Sequence, residues 1–281
     1  MRINFNETAA FASRMANINN SNSMETMKTL ASGKRINSAK DDASGLAVST
    51  KMKSTIRGLN QASKNISDGS SMLNVATGYL QETTDILQRI RELAVQSSNG
   101  IYSDEQRGMI QIEVSQLVSE IDRVASSASF NGMQLLTGRF AAGSDNIALH
   151  IGANSDERIS FNLEAATAES FGLRNSQGES NSISVLDKES ANAAISTLDE
   201  ALLKVSKQQA LIGANQNRME TAKQGIDIAV ENMASANSRI EDADMAEKFV
   251  EYSRNQILSN SSLAILSQAN SNSQNVLALL R

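Results

Sequence analysis

Between Met52 and Ala94, apolar side chains recur on an alternating three/four step: Met52, Ile56, Leu59, Ala62, Ile66, Leu73, Ala76, Leu80, Leu87, Ile90 and Ala94. This spacing lays one seam along a helix, the pattern that packs knobs into holes. A continuous helix of this kind runs about 60–70 Å. Gly58, Gly69 and Gly78 interrupt it, each costing roughly 1 kcal/mol relative to Ala, so packing rather than propensity must hold it. The sequence contains no proline. Proline breaks helix interiors at about 3 kcal/mol, so its absence permits helices of this length.

A break follows at Ser97-Ser98-Asn99-Gly100, and Ser103-Asp104-Glu105-Gln106 opens the next helix with a capping-box pattern. Its seam is predicted at Ile110, Val114, Leu117, Ile121, Val124 and Ala128, with Phe130-Asn131-Gly132 ending it through a left-handed glycine. From Met133 to Leu163 the period becomes two. Residues 147–151 and 159–163 alternate apolar and polar around a Gly/Asn/Asp turn, which predicts a hairpin. The polar stretch 174–184 reads as a loop. A last long helix starts near Asp187, with Ile195, Leu198, Leu202, Val205, Met219, Ala222, Ile226, Ala229, Met233, Ala236 and Ile240 on its seam. Gln209, Asn215 and Gln216 interrupt that seam. After Asp242-Ala243-Asp244 another helix carries Phe249, Val250, Ile257, Leu258, Leu263, Ile265 and Leu266. The two helical ends, 1–130 and 188–281, read as halves of one structure from which the middle merely protrudes.

Composition narrows the function. Hydrophobic residues make up 40% and aromatics 4%, with no Trp, which suits thin helical packing better than one thick core. Cysteine is absent, so no disulfide, thiolate nucleophile or thiolate metal site exists. The net charge of −5 argues against nucleic-acid or anionic-membrane binding. No apolar run reaches the length of a membrane span. Residues 1–7 show no apolar signal-peptide core, and on these rules alone the chain is expected in the cytoplasm. His150 is the only histidine, so no histidine-based triad or zinc site can be assembled. Asp41-Asp42 after Lys40 is read as capping and salt bridging at a helix boundary. No cofactor is expected.

Gly33-Lys34-Arg35-Ile36-Asn37-Ser38-Ala39-Lys40-Asp41-Asp42-Ala43-Ser44-Gly45-Leu46-Ala47 and residues 87–97 (LQRIRELAVQS) resemble the N-terminal signature of bacterial flagellins. Residues 237–246 (NSRIEDADMA), Asn255-Gln256-Ile257-Leu258 and the closing residues 274–281 (QNVLALLR) resemble their C-terminal half. The short middle and Leu149-His150-Ile151-Gly152-Ala153-Asn154 further resemble the filament core flagellins of spirochaetes. The resemblance implies a mainly α fold: an elongated antiparallel helical bundle and coiled coil formed by the N- and C-terminal segments, with a small β-hairpin region in the middle. Residues 1–42 with 240–281 would form an inner-tube coiled coil, 43–130 with 188–239 a helical bundle, and 131–187 a short hairpin and loop segment on it. It implies a structural subunit of the flagellar filament and no enzyme. A hook–filament junction protein of the same family is the alternative. It also implies export by the flagellar type III apparatus, which overturns the cytoplasmic expectation. The location would be a periplasmic flagellum if spirochaetal and the cell exterior otherwise. Implied partners are further copies and flagellin paralogues, an export chaperone, a cap protein, filament sheath proteins and the Toll-like receptor for flagellin; nucleic acid and membrane are not among them.

Four residue sets are singled out. Arg89 and Leu93 are four apart and so share a helix face, to which the turn at Gly100 brings back Glu113. The resemblance makes this face a lattice contact or an innate-receptor contact. Val276, Leu277, Leu279 and Leu280 form an apolar tail, expected to serve assembly because exposed it would aggregate. Ser115, Ser126 and Ser127 are possible O-glycosylation positions by the same resemblance. Two departures from the family pattern stand out: Ser271-Asn272-Ser273 where many flagellins have a proline, and Glu241 where many carry Arg.

Overall fold

The computed structural model describes residues 6–141, 143, 145–174 and 183–279, with side chains up to residue 275. Helices α1 (Glu7–Ser32), α2 (Ala43–Ser97) and α3 (Asp104–Ser127) come first. Strands β1 (Ser129–Phe130), β2 (Met133–Gln134), β3 (Ile147–His150) and β4 (Arg158–Phe161) follow, then helices α4 (Lys188–Glu241) and α5 (Met245–Leu279). The chain condenses into two units, Met1–Ile56 with Glu231–Arg281, and Arg57–Val230.

In the unit Arg57–Val230, the expected seam residues Leu59, Ala62, Ile66, Leu73, Ala76, Leu80, Leu87, Ile90 and Ala94 are all buried. Leu198, Val205, Met219 and Ile226 of α4 are buried as well. The two helices run antiparallel: Arg91 pairs with Asp199 at 2.7 Å, and Lys223 Nζ donates to Ser67 Oγ at 3.2 Å. Two of the three polar interruptions in α4 bond across the same interface. Gln209 Nε2 donates to Thr84 Oγ1 at 3.4 Å and Gln216 Nε2 to Asn74 Oδ1 at 2.8 Å, so α4 stays unbroken.

Helix α3 opens as predicted. The Ser103 hydroxyl accepts from Gln106 N, and the Gln106 side chain accepts from Ser103 N. Its seam departs by one residue from the expected set, because Val118 is buried and Leu117 is only half-buried. Its ending also differs. The helix stops at Ser127, and Asn131 (φ 50) and Gly132 (φ 77) form the two-residue turn of the β1–β2 hairpin instead of a helix cap. Both residues have positive φ, the signature of a turn whose twist suits a hairpin.

The middle does not merely protrude. Leu135, Leu136, Phe140, Leu163, Ala166, Ala168, Phe171 and Leu173 are all buried. Asp122 of α3 accepts from Ala168 N at 2.8 Å and pairs with Arg174 at 2.6 Å. Gln111 of α3 clamps the returning chain, accepting from Val185 N at 2.7 Å and donating to Ile183 O at 3.1 Å. Alternation alone could not show this, since most of these residues lie outside the two strands. The β3–β4 hairpin forms in the expected place, with Ile147 opposite Phe161 and His150 opposite Arg158. It sits on α2: Ala153 approaches Gly58, Leu149 approaches Gly69, and Asn65 Nδ2 donates to His150 O at 3.1 Å. Most of the expected loop 174–184 lies outside the described residues.

Candidate assembly surfaces

In the unit Met1–Ile56 with Glu231–Arg281, α1 and α5 lie side by side and antiparallel. Asn6 Nδ2 donates to Ala269 O at 3.0 Å, Asn19 Nδ2 to Ser262 Oγ at 3.3 Å, and Asn255 Nδ2 to Thr26 Oγ1 at 3.4 Å. The residues between the helices are small or polar: Ala12, Ala16, Ser23, Thr26 and Thr29 on α1, and Asn255, Ser262 and Ala269 on α5. The large apolar side chains point away. Phe11 is 58% exposed, Phe249 62% and Ile257 64%, with Ile18, Met24, Met27, Leu263 and Ile265 also exposed. The pair is therefore inverted relative to an ordinary amphipathic helix, which buries its large apolar stripe. No helix among the described residues is long and apolar enough to cross a membrane. Helix α5 passes through 271–273 unbroken, as expected where no proline stands.

The chain links at the inner end of this pair are tied together by one carboxylate. Gly33 (φ 69) caps α1 in the left-handed conformation glycine favours. Lys34 then bridges antiparallel to Asp242, with Arg35 N donating to Glu241 O at 2.6 Å and Ala243 N to Gly33 O at 3.0 Å. The Glu241 side chain is 3% exposed as a residue. It accepts from Lys53 and from Ser49 Oγ, and Lys34 Nζ lies at 2.9 Å. Those bonds, from Lys53 and Ser49 first, push its carboxyl down to about 2. The same contact raises the Lys34 ammonium above its ordinary value. The charge departure noted in the sequence is thus satisfied within the chain. Asp41 and Asp42 act as caps: Asp41 Oδ2 accepts from Asn37 N and Ser38 N, and Asp42 Oδ1 accepts from Gly45 N at 2.8 Å. Among the described residues no cluster of three or more His, Cys, Asp or Glu side chains could hold a metal.

In the unit Arg57–Val230, Arg89 does meet Glu113, with Nη2 to Oε1 at 2.8 Å, and also Glu92 at 3.2 Å. Both partners are about half exposed, and the bonds from Glu113 and Glu92 raise the guanidinium further above its ordinary value. Leu93 does not share their surface. It is 2% exposed and belongs to the α2 core, because it stands three residues after the buried seam residue Ile90 and falls on that row. Exposed Val95, Ile101, Met109 and Ile112 supply the apolar part of the α2–α3 surface instead. Ser126 and Ser127 are exposed, while Ser115 is half-buried and bonds back to Gln111 O at 2.9 Å. The side chains of the tail residues Val276, Leu277, Leu279 and Leu280 lie outside the described residues.

The sequence model described as "Bacterial flagellin N-terminal helical region" matches residues 3–141, and that of the "Bacterial flagellin C-terminal helical region" matches residues 195–280. The chain belongs to the bacterial flagellins. This flagellin is 56% identical over its full length, and that of the relative, to the "Flagellar filament 30.7 kDa core protein" of Treponema maltophilum. It is 51% identical, again over all of both chains, to the "Flagellar filament core protein flaB2" of Brachyspira hyodysenteriae. The solved "Structure of putative flagellar hook-associated protein from Vibrio parahaemolyticus" shares the fold at a TM-score of 0.55 and 13% identity, over 72% of this flagellin and 98% of that chain. Sequence reasoning located the flagellin motifs but missed the outward placement of Phe11 and Phe249. The available signal was the run of small residues at the inner positions of α1.

Proposed function

We propose that this flagellin is a structural subunit of the flagellar filament, stacking with copies of itself and with flagellin paralogues. The observation that carries this is the inverted α1–α5 pair, whose large apolar side chains stand exposed in the single chain and would be covered by further copies. Relatives along its full length are named as filament core proteins, and the hook–filament junction alternative has no observation in its favour. The inner tube is assigned to residues 1–42 with 240–281, a helical bundle to 43–130 with 188–239, and the hairpin segment to 131–187. The spirochaetal character of the relatives supports a periplasmic filament, reached through the type III export channel with a chaperone and a cap protein, and in contact with sheath proteins. Arg89 and Glu113 are assigned to a lattice contact, and the apolar tail to assembly. Leu93, being buried, supports that surface from beneath; a Toll-like receptor contact would rest on Arg89 and Glu113. Ser126 and Ser127 are better placed than Ser115 to accept glycan.

Seeded polymerisation followed by electron microscopy tests this reading. Intact protein is expected to elongate seeds, and protein lacking residues 276–281 to fail while keeping its helical circular dichroism. Intact protein that stays monomeric beside competent seeds overturns the reading.

A further inference from the structure

Two Asn-Gly steps occur in turns of this chain, Asn99-Gly100 and Asn131-Gly132, and their surroundings differ. Asn99 and Gly100 are exposed in the α2–α3 turn, and a Cβ built on Gly100 would meet nothing within 4 Å. Ile101 N approaches the Asn99 side-chain carbonyl at 3.4 Å, which draws electron density from the carboxamide carbon. Asn131 instead lies at φ 50 between two paired strands, with Phe130 opposite Met133. Ring closure there would twist the turn out of the conformation that holds the hairpin.

We propose that Asn99 is a site of spontaneous deamidation, and that the reaction marks each copy with its age. The Gly100 backbone nitrogen loses its proton to solvent base and attacks Asn99 Cγ. The new C–N bond forms a tetrahedral centre, the Cγ–Nδ2 bond breaks, and ammonia leaves with a proton from water. The resulting five-membered imide is then opened by one water molecule at either carbonyl, giving aspartate or isoaspartate. The balance is one water consumed and one ammonia released, with no oxidant or cofactor. The product adds one negative charge to a chain of net charge −5. It arises on the residue whose own carbonyl accepts from Arg107 Nη2 at 3.2 Å. Arg107 is buried, and among the described residues its Nε has no partner. In the isoaspartate product the free carboxylate is the former backbone carbonyl, the group that already accepts from Arg107.

Timed incubation of the intact chain at neutral pH, with peptide mapping at intervals, tests this. The tryptic fragment 92–107 isolates Asn99, and the fragment 124–139 isolates Asn131. Asn99 is expected to convert to a mixture of aspartate and isoaspartate while Asn131 stays an amide. Gly100→Ala places a methyl group beside the attacking nitrogen in open space, so it is expected to suppress conversion several-fold with the melting curve unchanged. Equal rates at the two sites, faster loss at Asn131, or undiminished conversion in Gly100→Ala overturns the proposal. Asn99→Asp, which makes the product charge directly, is expected to melt no lower than the parent. A lower melting temperature would show that Arg107 does not accommodate the charge.

Discussion

The Ala153 methyl group occupies the space where a side chain on Gly58 would stand: a Cβ there would lie 2.9 Å from Ala153 Cβ and 3.2 Å from its Cα. Glycine in the middle of α2 thus lets the hairpin tip lie against the helix. Gly69 does the same for Leu149, at 2.6 Å from Cδ2, but a leucine tip can swing aside where a backbone carbon cannot.

Alanine substitution at Gly58, Gly69 and Gly78 of α2 should therefore split by sign. Gly78 has nothing within 4 Å of its missing Cβ, so Gly78→Ala gains the helix-propensity difference of about 0.5–1 kcal/mol. Gly58→Ala gains the same term but forces the hairpin off, for a net cost of about 1–3 kcal/mol. Gly69→Ala falls between the two. Urea unfolding of the three variants checks the order.

Acid should act through Glu241. Its folded carboxyl titrates at about 2 against an ordinary 4.5, so its stabilisation is complete above pH 4.5 and is lost as pH falls through about 2. With partial screening of Lys34 and Lys53, each more than a third exposed, the contribution is on the order of 1–3 kcal/mol. The stability difference between parent and Glu241→Gln is expected to be flat above pH 4.5 and to close below it. At the other extreme, Lys34 is raised from 10.5, so its share is complete below that pH and lost as pH rises through its folded value. A parent–variant difference that stays constant from pH 5 to pH 2 would exclude Glu241 as the acid-sensitive group.

Arg89 and Leu93 should separate by phenotype. Arg89 makes half-exposed ion pairs, which solvent screens, so Arg89→Ala is expected to leave the melting curve close to the parent's while slowing seeded elongation. Leu93 is buried, and Leu93→Ala costs about 2–5 kcal/mol. A loss of receptor signalling in Leu93→Ala therefore needs a melting curve beside it before it is read as a lost contact.

The clamp formed by Gln111 offers a fourth measurement. Gln111→Ala leaves Val185 N and Ile183 O without their side-chain partners, at about 1–3 kcal/mol. Amide exchange at Val185 is expected to rise ahead of exchange in the α2 core.

Much of this was legible in the residue spacing. The α2 seam, the Ser103–Gln106 box and the β3–β4 hairpin all formed where period and capping chemistry put them. Period alone could not choose between Leu117 and Val118, adjacent apolar residues less than a third of a turn apart. Nor could it place Leu135 or Phe171, which are buried in a middle segment tied to α3 by contacts far apart in sequence, such as Asp122 accepting from Ala168 N. Helices α1 and α5 misled for a different reason. Apolar size normally marks the inside, whereas Ala16 and Ser23 face the partner helix and Phe249 faces out.

The outward Phe11, Phe249 and Ile257 set where such a polymer can grow and shed material. When the oily layer lies between copies and not within them, cohesion rises with the number of neighbours each copy has. A copy in the shaft is gripped from every side, and one at the tip from only some. Gain and loss are then confined to the free end, leaving the rest of the shaft inert.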